Sequence, residues 1–89
     1  MATESKYQLK LRRDLESKGW LVIRLLVAPT SIAATGTPDL LALKPCQGGR
    51  CVVKFIEVKA KNGKTSPLQE FHIKKLKEFG FEAIVDREF

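Results

Sequence analysis

Asp39, Glu57 and Lys59 are the residues of this 89-residue chain whose types and spacing point most directly to chemistry. Asp39 follows Gly36-Thr37-Pro38 and opens the apolar run Leu40-Leu41-Ala42-Leu43, while Glu57 and Lys59 stand two apart in Phe55-Ile56-Glu57-Val58-Lys59. Side chains two apart on a strand project from the same face, so Glu57 and Lys59 point together. Pairing the two runs brings Asp39 close to Glu57. Two hard carboxylate ligands suit Mg²⁺ or Mn²⁺, with water or a phosphate oxygen filling the other octahedral positions. An ion held there acidifies a water and neutralises charge on a scissile phosphate. The compact charge of Lys59 would hold the attacking water or the developing oxyanion. The chemistry this pattern suits is metal-dependent phosphodiester hydrolysis.

The elements that must position these residues follow from periodicity and punctuation. Tyr7, Leu11 and Leu15 recur every four residues between Lys6 and Lys18, with Leu9 on the flank and Gly19 as a stop, which predicts an amphipathic helix. Trp20 to Val27 is apolar and rich in β-branched residues, and predicts a buried strand; Ala28 to Thr37 reads as a loop. Leu40 to Leu43 and Val52 to Val58 predict two strands of a hairpin turned through Pro45 and Gly48-Gly49. Ala60 to Thr65 is a basic turn. Ser66 and Pro67 supply an N-cap and a first-turn proline for a helix running to about Phe79 and stopped by Gly80, and Phe81 to Val85 predicts a last strand. The expected class is α/β, in the order αβββαβ, with a mixed central sheet flanked by helices.

No linker, repeat or low-complexity stretch divides residues 1–89, which predicts one small domain near the size where a single core is marginal; a homodimer is one way to add support. Sixteen basic against ten acidic residues give a net charge of +6 and a pI near 9.6, which fits a polyanionic partner. No apolar run is long enough to span a bilayer and no secretory signal opens the chain, so no membrane partner and an intracellular, cytoplasmic location are expected. Cys46 and Cys51 cannot complete a four-ligand zinc site alone, and in a reducing cytosol small buried hydrophobes at the hairpin ends are preferred to a cross-hairpin disulfide.

Pro38-Asp39 with Glu57-Val58-Lys59 resembles the signature of PD-(D/E)xK nucleases. The ordered set Gly36-Thr37-Pro38-Asp39-Leu40, Glu57-Val58-Lys59-Ala60 and Ser66-Pro67-Leu68-Gln69 resembles more closely the VRR-NUC family, small phage proteins and the nuclease domains of larger repair enzymes. The resemblance implies a restriction endonuclease-like fold and a Mg²⁺- or Mn²⁺-dependent DNA endonuclease. In it Asp39, Glu57, the Val58 carbonyl and a glutamate early in the first helix, Glu4, hold metal, while Gln69 assists beside Lys59. Stand-alone members of this length act as homodimers on branched DNA such as four-way junctions, so branched DNA and a second copy are the implied partners. Flap, single-strand and linear-duplex cleavage would use the same site, and a catalytically silent DNA-binding module is the alternative of a different class.

Each of these residues has a plainer reading. Asp39 after proline suits a turn, and Glu57 and Lys59 would form an along-strand ion pair, for which the i, i+2 geometry is poor. Ser66-Pro67-Leu68-Gln69 also fits a capping box, and Glu4 suits the helix dipole, with Glu16 competing for its role. His72 shares a helix side with Leu68, Leu76 and Phe79 and reads as packed or at an interface. Lys61 and Lys64 flank Asn62-Gly63 in a mobile positive loop placed to hold phosphates beside the cut, whereas Arg12, Arg13, Lys74, Lys75 and Lys77 read as solvated helix charges. The apolar helix face around Phe71, Leu76 and Phe79 suits core, interface or both, and Phe89 is an unexplained terminal aromatic.

Overall fold

The computed structural model describes residues 4–25 and 37–87, with side chains from Lys6 onward. Its elements are α1 (Glu4–Ser17), β1 (Leu21–Arg24), β2 (Leu40–Gln47), β3 (Arg50–Lys59), α2 (Pro67–Glu78) and β4 (Glu82–Arg87), the αβββαβ order expected from the sequence. The four strands form one sheet in the order β1-β2-β3-β4. β1, β2 and β3 pair antiparallel, and β4 returns through α2 to lie parallel to β3, so the sheet is mixed.

The register sorts side chains onto two faces. Leu40 pairs with Ile56 and Ile56 with Ile84, which puts Leu40, Ala42, Ile56 and Val58 on one face. There they are fully buried under Tyr7, Leu11 and Leu15, the every-fourth-residue stripe of α1. The opposite face carries Phe55, Glu57 and Lys59 from β3, and α2 covers it, with Ile73 and Ala83 buried there. Gly19, at φ 92°, closes α1 in the left-handed region that favours glycine.

Several expectations need correction. β1 is an edge strand and not a buried one: Leu21 is 60% exposed and Ile23 is also exposed, because α1 packs on one face only and β1 has a single neighbour. Residues 26–36, which include the end of the predicted strand, most of the predicted loop and Gly36, lie outside the described residues, as does Phe89. β2 continues through Pro45 to Gln47 beyond the predicted turn; its pairing with β1 ends at Leu43, and the register with β3 shifts between Lys44 and Gln47, a place where a strand tolerates proline. Cys46 and Cys51 are exposed and joined in a disulfide with Cα atoms 4.1 Å apart. They lie next to the Gln47–Arg50 pair at the hairpin tip, where cross-strand neighbours come close enough to bond. Arg12 is half-buried with its Nε enclosed, while Arg13, Lys74, Lys75 and Lys77 are solvated as expected.

Candidate active site

β2 starts at Leu40 while its neighbour β3 runs on to Lys59, and the acidic residues meet at that end of the sheet. Continuing the register from Leu40–Ile56 by one residue sets Asp39 opposite Glu57. The Asp39 carboxylate accepts the amide N–H of Val58 at 2.9 Å, and its own carbonyl accepts the amide of Leu25 at 2.8 Å. A turn-type residue before a strand is thus fastened on both sides, through groups that would otherwise be unpaired in a buried place.

Glu57 is 2% exposed. Its Oε1 accepts the side-chain amide of Gln69 at 2.9 Å and lies 3.5 Å from the Lys59 ammonium, so the along-strand pair that the spacing disfavoured does form, through the reach of the lysine stem. Its Oε2 is buried with no hydrogen-bond partner among the described residues. Burial first, then the neighbouring Asp39 charge, pushes the Glu57 pKa up to about 8, with Lys59 opposing the rise. Like charges crowded into a buried place are costly without a counter-charge. An orphaned carboxylate oxygen beside a second carboxylate is the donor set that a hard divalent cation fits.

Gln69 forms the capping box of its plainer reading and also reaches the acidic residues. Its Oε1 accepts the amide of Ser66 at 2.8 Å while the Ser66 hydroxyl accepts the amide of Gln69 at 3.1 Å, completing the capping box. With the oxygen end held by the cap, the NH₂ end of the same amide turns to Glu57. The helix start and the acidic site are therefore joined through one side chain.

Among the described residues no three His, Cys, Asp or Glu side chains gather at one point. Asp39 and Glu57 supply two, Val58 contributes main chain only, and the Glu4 side chain lies outside the described residues. The course of α1 bears on the choice between Glu4 and Glu16. The Tyr7 hydroxyl donates to Asp86, which pairs with Val58, so the first turns of α1 lie at the site's end of the sheet. Glu16 is exposed and lies about 14 Å further along the helix. Sequence reasoning missed Asp86 and Arg87; neither has a local signal, because each acts on a distant segment.

Lys61 and Lys64 are exposed on a loop tied at Gly63 by two hydrogen bonds. The Gly63 amide donates to the Ala60 carbonyl at 2.9 Å, and the Arg87 guanidinium donates to the Gly63 carbonyl. A Cβ at Gly63 would meet the Ala60 carbonyl oxygen at 3.2 Å, so the turn closes best without a side chain there. His72 is half-buried on α2, one turn beyond Gln69.

A mixed four-stranded sheet between two helices, with two carboxylates and a lysine at one end of its central strands, defines a small α/β domain of the nuclease type. The chain matches the VRR-NUC domain family over residues 4–87 and belongs to that family. It is similar to a solved structure described as a VRR_NUC domain, at 30% identity and a TM-score of 0.70, covering 94% of this chain and 84% of that one. No curated protein matches the chain. A nuclease-type function with DNA as partner follows from this membership. No described helix is long and apolar enough to cross a membrane.

Proposed function

We propose that the chain is a metal-dependent DNA endonuclease that hydrolyses phosphodiester bonds at Asp39 and Glu57. The observation that carries this reading is the buried, unpartnered Oε2 of Glu57 beside the Asp39 carboxylate. Asp39, Glu57, the Val58 carbonyl and Glu4 would hold Mg²⁺ or Mn²⁺. Bound there, the ion supplies a lowered water pKa and charge neutralisation at the phosphate. The residues of the chain do the rest. The Val58 amide orients the Asp39 carboxylate, and Gln69 and Lys59 orient that of Glu57. Lys59, with its side chain only 12% exposed, presents its charge to the attacking water or the departing oxygen from a dry position where it counts for more than in solvent. Lys61 and Lys64 hold the phosphates flanking the cut.

The family resemblance extends this reading to branched DNA such as four-way junctions, cut by a homodimer whose twofold axis relates two sites. The test is cleavage of end-labelled four-way junction, flap, single-stranded and linear duplex DNA, side by side in Mg²⁺ and Mn²⁺. Paired symmetric nicks in the junction alone support the dimeric junction enzyme. Preference for flap, single-stranded or linear DNA keeps the hydrolysis and discards the junction. No metal-dependent cutting of any of them, with DNA still bound, replaces the enzyme by a silent binding module.

Arg87→Ala is expected to release the Gly63 carbonyl and with it the lysine loop. A charge-assisted hydrogen bond contributes about 1.5–3 kcal/mol, so DNA affinity should fall several-fold or more at low salt. The dependence of affinity on salt should flatten as lysine–phosphate contacts are lost. Titrations at several salt concentrations read both effects; an unchanged slope would show that the loop does not touch DNA.

A further inference from the structure

We propose that the cavity between α2 and the start of β2 receives a single unpaired nucleobase of the DNA strand whose phosphate lies at Asp39 and Glu57, an inference that rests on the nuclease reading and narrows its substrate. The cavity has a volume of about 260 Å³ and is lined by Pro38, Phe55, His72, Lys75, Leu76 and Phe79 among others. Ligand pockets generally span roughly 300–1,000 Å³, so this one takes one ring system and not a base pair.

Its position ties it to the acidic site through three neighbours. Pro38 precedes Asp39, Phe55 is two residues before Glu57 on the same face of β3, and His72 is one turn beyond Gln69. A nucleotide whose phosphate reaches the carboxylates therefore has its base within reach of the cavity. The lining suits a base. Phe55 and Phe79 offer aromatic surface, and Phe79 is 75% exposed, so it stands open to a flat partner. The half-buried His72 ring completes the wall beside them. Lys75 on the same wall, with Lys74 and Lys77 exposed on the same helix, favours a polyanion over a lipid or an apolar peptide.

A base inside a continuous duplex is stacked on both sides and cannot enter. An unpaired nucleotide at a bulge, flap or branch can, at a lower unstacking cost. The pocket thereby makes cleavage depend on DNA structure without reading a sequence.

The test compares two duplexes in Ca²⁺ by fluorescence anisotropy, one with a single-adenine bulge and one with an abasic residue at the bulge. Base stacking on an aromatic side chain predicts binding tighter for the base-bearing DNA on the order of tenfold. Phe79→Ala, at an exposed position, should bring the ratio towards one, and Phe79→Trp should preserve it. Equal affinity for the two DNAs in the unaltered protein, or a ratio that survives Phe79→Ala, overturns the pocket. The ratio needs no turnover, so a chain that cuts nothing in Mg²⁺ yet shows the ratio loses the nuclease reading and keeps the pocket.

Discussion

Asp39→Asn is expected to lower the rate of DNA cleavage by at least about a hundredfold while leaving the fold intact. Even indirect supports of metal ligands cost about 10–100-fold when removed, and Asp39 is proposed as a direct ligand. Asparagine keeps an oxygen that can accept the Val58 amide, now 2.9 Å from the carboxylate, but removes the charge that would attract the cation. Asp39→Ala removes both. It leaves the amide of Val58, a residue with no solvent exposure, without its acceptor, at a cost of about 1–3 kcal/mol. The pair separates chemistry from stability. Both variants should be inactive in Mg²⁺, but alanine should melt several degrees below asparagine. Full activity in Asp39→Asn would remove Asp39 from the metal site.

Glu57→Gln should be equally inactive and yet more stable than the original chain when metal is absent at neutral and mildly alkaline pH. The Glu57 pKa is raised from 4.5 to about 8, by burial and by the charge of Asp39. A carboxyl raised in this way keeps a proton in the folded chain where the unfolded chain has lost it. Its contribution to stability is therefore full below about pH 4.5 and is lost progressively as pH rises through about 8. Within that window the loss is at most about 1.4 kcal/mol per pH unit. Thermal melts in EDTA should accordingly fall between mildly acidic and mildly alkaline buffer for the unaltered protein. The fall should be much shallower for Glu57→Gln, whose amide still accepts from Gln69. Mg²⁺ should restore the alkaline melting temperature only in the unaltered chain, because a ligand that binds the folded state alone stabilises it. A melting temperature that rises with pH in EDTA would mean that Glu57 does not keep its proton in the folded chain.

Such instability is what the proposed metal-binding role predicts. Two carboxylates and a lysine are held together by Gln69, a helix cap and one main-chain amide, and the residual cost falls on Glu57. Under that proposal, stability is given up locally where a cation would supply the counter-charge.

Much of the candidate site's geometry was legible in the chain because its signals are local. Strand alternation alone put Glu57 and Lys59 on one face, and the hairpin joining two apolar runs set Asp39 near Glu57. Serine, proline and glutamine in the order Ser66-Pro67-Leu68-Gln69 marked the start of α2. Helix spacing marked the core stripe Tyr7, Leu11 and Leu15 in the same way.

Tertiary structure decided what no local signal encodes. The capping box of Gln69 was legible, but that the other end of the same amide bonds Glu57 was not. The exposure of β1 follows from its place at the edge of the sheet and not from its apolar composition, which is that of a buried strand. The disulfide depends on which residues the bulged hairpin sets opposite one another. Arg87 reaches back 24 residues to pin the lysine loop, and Tyr7 and Asp86, 79 residues apart, set the first turns of α1 beside the site. Period and punctuation are properties of neighbouring residues, and so the amino-acid sequence by itself determined the elements and their chemical faces. Register, edges and long-range hydrogen bonds arise only when distant segments compete to pack, which is why the tertiary structure alone determined how the site is supported.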